Sequence, residues 1–169
     1  MASVRPAIND PVPHVEFIGN HGVSSDELRI AMTGLRGGDL AAYSEDGLDR
    51  DLLLLSAYCF DRGYANVRIG TPRFEPLRNM ISIPIDEGPR FTMRAVTVTG
   101  ELIGSASENL AMIPVRPGDT FSRTVIADDR EALSTYYRDL GYPDRNVLPL
   151  TQVDLETNEI SLTFEVSGN

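Results

Sequence analysis

Few residues in this chain combine a reactive type with a useful spacing. Cys59 is the only cysteine, and a nucleophilic thiol needs a neighbouring base to activate it. It falls instead on the stripe Leu48, Leu52, Leu55, Cys59, spaced as one face of a helix, and reads as a small core hydrophobe. His14 and His21 flank a strand without partners at metal-ligand spacing. Gly34-Leu35-Arg36-Gly37-Gly38 is rich in glycine, but it follows a helix and lacks the Lys-Ser/Thr of a phosphate loop, so it reads as a turn. The acidic pairs Asp86-Glu87 and Asp128-Asp129 are sequence neighbours at a strand end and a helix start, where solvated charge is the expectation. The residues therefore predict no catalytic group, no metal ligand and no cofactor, and a non-enzymatic protein.

Composition narrows the class further. The chain has 169 residues, 41% hydrophobic, with 15 basic against 25 acidic side chains and a net charge of −10. That balance, with no basic run, argues against nucleic acid and against an anionic membrane surface. A single cysteine allows no internal disulfide and leaves the compartment open. No apolar stretch approaches the length of a membrane-spanning helix, and no signal peptide is visible. Residues 1–13 carry Pro6, Pro11 and Pro13 without apolar periodicity and read as a linker or the end of a preceding domain. The chain is expected to be a fragment of a longer protein.

The elements that position everything else occur twice. Val15-Glu16-Phe17-Ile18-Gly19 answers to Val96-Thr97-Val98-Thr99-Gly100, and Ser24 with Glu27 answers to Ser105 with Glu108. Gly38-Asp39 answers to Gly118-Asp119. Tyr58 with Gly63-Tyr64 answers to Tyr136 with Gly141-Tyr142, and Ile81–Asp86 to Ile160–Glu165. The offset drifts through 81, 80, 78 and 79. A period near 80 is too long for a solenoid unit and suits a small domain. The predicted modules span 14–89 and 90–169. In each, a strand is followed by a short helix opened by a capping box, Leu28, Met32 and Leu35 facing inward in the first copy and Leu110, Ile113 and Val115 in the second. A longer helix follows, with Ser44 or Ser122 as N-cap and Gly63 or Gly141 just past its end. Two strands in a hairpin close the module. The fold class is α+β: two tandem βααββ modules, each a three-stranded mixed sheet covered on one face by two helices. Pro72 and Pro149 nominate the second strand of each module as an edge, with the third central; Pro84 implies a bulge or short ladder in the first copy.

These landmarks resemble the polypeptide-transport-associated (POTRA) domain, most clearly at Tyr58, Gly63-Tyr64, Tyr136, Gly141-Tyr142 and Asp86-Glu87-Gly88-Pro89. The resemblance covers residues 14–168; the second copy departs from it at Val166-Ser167-Gly168, which lacks the Glu-Gly pair. It implies a periplasmic scaffold within an outer-membrane protein. The implied partners are unfolded outer-membrane polypeptides, accessory assembly proteins and the parent chain's own C-terminal β-barrel. Alternatives are the POTRA pair of a two-partner secretion transporter, or an interaction domain of a cell-division or envelope complex. In this family an exposed second strand accepts an extended polypeptide by strand addition, through main-chain hydrogen bonds. Here that nominates Val67, Arg68, Ile69 and Gly70, and Val147, Leu148 and Leu150. Gly88, Pro89, Arg90 and Phe91 form a short junction expected to act as a hinge between the modules.

Overall fold

A computed structural model describes residues 13–32 and 45–168. The expectations for residues 1–12, for Gly34–Gly38, Leu35 and the Gly38-Asp39 turn, and for Ser44 as an N-cap lie outside the described residues. Contacts divide the chain into two units. One holds residues 1–60 and 64–88; the other holds 89–169 together with 61–63.

The first unit runs β1 (His14–Ile18), α1 (Ser25–Ala31), α2 (Glu45–Phe60), β2 (Arg68–Ile69), β3 (Arg73–Glu75) and β4 (Met80–Asp86). Ser24 caps α1 and closes the predicted box with Glu27: the Glu27 N–H donates to Ser24 Oγ, and the Ser24 N–H donates to the Glu27 carboxylate. β4 is central, pairing parallel with β1 and antiparallel with β2 and β3. The parallel pairing follows from the crossover through the helices. Val15 and Phe17 of β1, Ile81, Ile83 and Ile85 of β4, Leu28, Met32, Leu55 and Cys59 form the core. Cys59 is fully buried there, as its place on the apolar stripe predicts, whereas His14 and His21 are exposed.

The second unit repeats the plan: β5 (Thr92–Gly100), α3 (Ala106–Ala111), α4 (Arg123–Asp139), β6 (Asn146–Asp154) and β7 (Glu159–Ser167). β7 is central, parallel to β5 and antiparallel to β6. Ser105 and Glu108 form the second capping box, and Ser122 Oγ caps α4 by accepting from the Val125 N–H. Gly141, at φ 90°, ends α4 in the left-handed region, and the Tyr142 N–H reaches back to the Tyr137 carbonyl. Gly63 and Tyr64 close α2 in the same way, the Tyr64 N–H bonding the Cys59 carbonyl. Tyr64 packs on the first core, but Tyr142 stays exposed, with Arg145 5.9 Å above its ring.

Three expectations are corrected. The ladders set Val15 beside Ile81 and Val96 beside Leu162, so the last strands match at an offset of 81, not 79. A shift of two preserves which side chains face inward, which is why the pattern alone did not reveal it. Leu28's place in α3 belongs to Asn109, not Leu110: Asn109 is fully buried, donating to the Ile103 and Ser105 carbonyls and accepting from the Tyr137 hydroxyl. Neither acidic pair is simply solvated. Glu87 is buried and gathers three successive amides, His21 at 3.1 Å, Gly22 at 2.6 Å and Val23 at 2.9 Å, so it anchors the loop before α1. Asp129 faces inward from α4 with both carboxylate oxygens buried and without a well-formed hydrogen bond. Burial pushes its pKa up, and Asp128 adds to that; the Val115 amide and Arg116 offset part of it.

Candidate functional site

Strand addition needs a sheet edge with unused backbone groups, so the four edges decide where it can occur. β1 is an edge, and Arg29 Nη2 already donates to its Val15 carbonyl at 3.3 Å. The start of β5 is occupied as well. The Met93 N–H donates to the Asp119 carbonyl and the Gly118 N–H to the Met93 carbonyl, both at 2.7 Å, and a bridge joins Thr92 to Thr120. These bonds follow from the Gly118-Asp119 turn, which Gly118 enters at φ 92° and which the Asp119 carboxylate closes on the Arg116 N–H at 2.8 Å.

The second-strand edges differ between the units. In the first, the strand is split into two residues of β2 and three of β3, with Gly70-Thr71-Pro72 between them. The cause is Pro84 in the central strand, which has no N–H to offer toward this side. Gly70 bridges the gap by donating its own N–H to the Pro84 carbonyl at 2.8 Å, and a Cβ at position 70 would stand 3.1 Å from the Pro84 side chain. Of the candidate residues here, Val67 and Ile69 pack partly on the core and Arg68 is exposed. In the second unit, β6 pairs with β7 along all nine residues, Asn146 to Asp154. Among the described residues no further strand pairs with β6. Val147 is buried beneath the helices, whereas Leu148 and Leu150 are 49% and 43% exposed on the opposite face.

Pro149 sits inside this unbroken ladder, opposite Phe164. A proline cannot donate to a ladder, so its nitrogen faces outward, and so do the backbone groups of Val147, Thr151 and Val153 by the two-residue period. These form an unused row along the edge. Beside it lies a groove of about 300 Å³ between α4 and β6, floored by Phe121, Ile126, Ala127, Pro149 and Thr151 and bordered by Arg123 and Arg130. The proline signal located this edge; the groove and its arginines escaped sequence reading because they arise only when α4 packs on β6.

The junction residues divide between the units. Gly88, at φ 65°, belongs to the first. Phe91 is fully buried in the second and donates its N–H to the Gly63 carbonyl at 2.7 Å; Arg90 bonds Thr120 Oγ1 at 3.0 Å. Also within the second unit, the Asp61 carboxylate accepts from Ser122 Oγ at 3.0 Å and from the Thr124 N–H and hydroxyl at 3.0 and 2.8 Å, at the start of α4. Partial burial raises its pKa, but these bonds and Arg123 outweigh that and hold it below the usual aspartate range.

Among the described residues no cluster of three or more His, Cys, Asp or Glu is arranged to hold a metal ion, and no helix is long and apolar enough to cross a membrane. The chain resembles the outer membrane protein assembly factor BamA of Nitratidesulfovibrio vulgaris, at 28% identity over 125 residues, 70% of this chain but 16% of that protein. Among solved structures it is similar to POTRA domains 3–5 of BamA from Haemophilus influenzae, with TM-score 0.68, 22% identity, and coverage of 94% of this chain and 66% of that one. It is similar also to BamA of Haemophilus ducreyi lacking POTRA domains 1–3, with TM-score 0.69, 17% identity, and coverage of 94% and 29%. The family model for POTRA, described as the surface antigen variable number repeat, matches twice, at residues 11–88 and 91–168, and the chain belongs to this family as a tandem pair.

Proposed function

We propose that this chain is a periplasmic, non-enzymatic scaffold segment of an outer-membrane protein assembly factor. It binds unfolded outer-membrane polypeptides as an added strand and delivers them toward a membrane β-barrel carried elsewhere in the parent protein, alongside accessory assembly proteins. The observation that carries this reading is the nine-residue edge of β6, with outward backbone groups at Val147, Pro149, Thr151 and Val153. The resemblance to BamA supports assembly as the context. Val147, Leu148 and Leu150 thus belong to the binding element, while Val67–Gly70 offer only a two-residue ladder.

Amide NMR shifts of the labelled chain on titration with extended outer-membrane-protein peptides test this reading. Shifts are expected along residues 146–154, with a scrambled polar peptide inert. Thr151→Pro removes one outward N–H and leaves the inner ladder intact, as Pro149 already does, so it should fold and lose the peptide. Undiminished binding by T151P, or shifts that avoid β6, would overturn the proposal.

A further inference from the structure

The groove beside β6 carries charge opposite in sign to the chain's net charge. Its lining holds two arginines and no acid, in a chain of net charge −10. Arg123, Ile126 with Ala127, and Arg130 follow one another at helical spacing, so α4 presents cation, apolar surface and cation in a single stripe. The two arginines are separated by two turns, about 10 Å along the axis. A strand added to β6 sends every second side chain toward this stripe, at about 3.4 Å per residue. An apolar residue at position i therefore falls on Ile126 and Ala127, while positions i−2 and i+2, about 14 Å apart, reach the two guanidinium groups.

We propose that the second unit selects extended segments in which an apolar residue is flanked two positions away on each side by Asp or Glu. This rests on the strand-addition reading and specifies its ligand. Main-chain bonding is blind to sequence, so side-chain selectivity has to come from the groove. Arginine suits this role because its planar fork donates bidentately to a carboxylate and keeps its charge throughout. Neither guanidinium is idle: Arg123 acts on the Asp61 carboxylate at the start of α4, and Arg130 lies 3.7 Å from Glu131; both arginines are exposed, and exposed pairs yield to an incoming carboxylate at little cost.

Fluorescence anisotropy with three labelled peptides that share one alternating apolar pattern tests the selection. The flanking positions carry Asp in the first, Asn in the second and Lys in the third. The acidic peptide should bind about tenfold more tightly than the Asn peptide at low salt, and the Lys peptide more weakly than either. The advantage should shrink toward one at about 0.5 M salt. In Arg123→Gln/Arg130→Gln the ratio should fall to near one. Equal affinities for all three peptides, with T151P still abolishing binding, would overturn the charge selection and leave strand addition standing. A preference that survives R123Q/R130Q would also overturn it. Failure of every peptide to bind the unmodified chain would overturn both.

Discussion

Asn109 and Tyr137 show how one fold is kept with different core chemistry. Each short helix places one residue directly after its capping box, Leu28 in the first unit and Asn109 in the second, and both are fully buried. Each long helix places one residue four positions before its terminal glycine, Cys59 in the first and Tyr137 in the second, again fully buried. A leucine and a thiol are thus replaced by an amide and a phenol, and the polar atoms are carried inside only because they bond each other and the Ile103 and Ser105 carbonyls. Tyr137→Phe keeps the ring but strips the Asn109 carbonyl of its donor. A buried unsatisfied acceptor costs about 1–3 kcal/mol, so urea denaturation should show a loss of that size for Y137F. A change below about 0.5 kcal/mol would mean that the bond is not formed in solution. This pair was illegible in the sequence because Asn is expected outside, and Leu110 next door offered an apolar alternative.

At the scale of elements, proline carried more information than apolar periodicity. Pro149 located an edge strand and Pro84 located a fault in a ladder, both through the missing N–H. What they did not reveal is that the same edge is intact in one unit and broken in the other, which depends on Gly70 approaching Pro84 across the sheet. The capping boxes were equally legible, since Ser24 with Glu27 and Ser105 with Glu108 are local motifs that bring their own partners. The outward row on β6 makes a prediction independent of any ligand. Amides of Leu148, Leu150 and Gln152 face β7 and should be protected from hydrogen exchange. Those of Thr151 and Val153 face outward and should exchange far faster, by about a hundredfold or more if the inner bonds open only on sub-global unfolding. Uniform exchange rates along 147–153 would contradict the orientation inferred from Pro149, and the strand-addition geometry with it.

For the molecule as a whole, electrostatics make acid both stabilising and destabilising, in separate pH windows. Asp129 keeps its proton to higher pH in the folded state than in the unfolded chain, so its contribution is full below its ordinary value of 3.8 and is lost as pH rises through the folded value. The net charge of −10 acts in the same direction, because self-repulsion fades as pH falls toward the pI near 4.6. Opposing them are carboxylates held below their ordinary values. Glu101 is bonded by Arg145 and the Gly168 amide, Glu108 by Ser105, and Asp154 by the Thr157 and Glu156 amides. In Asp61 burial is outweighed by Thr124 and Ser122. Their stabilisation is complete above 3.8 for the aspartates and 4.5 for the glutamates, and drains away as pH falls through the folded values. Thermal scans should therefore show Tm rising from pH 7 to about pH 5 and falling below about pH 4. Salt separates the two causes of the rise. Screening at about 0.3 M should remove the part due to net charge but leave the buried Asp129 part, which Asp129→Asn should then abolish. A rise at high salt that D129N leaves untouched would mean that Asp129 is solvated and charged in the folded state. The Ser-capped α4 that carries it would then have to turn a different face toward Val115.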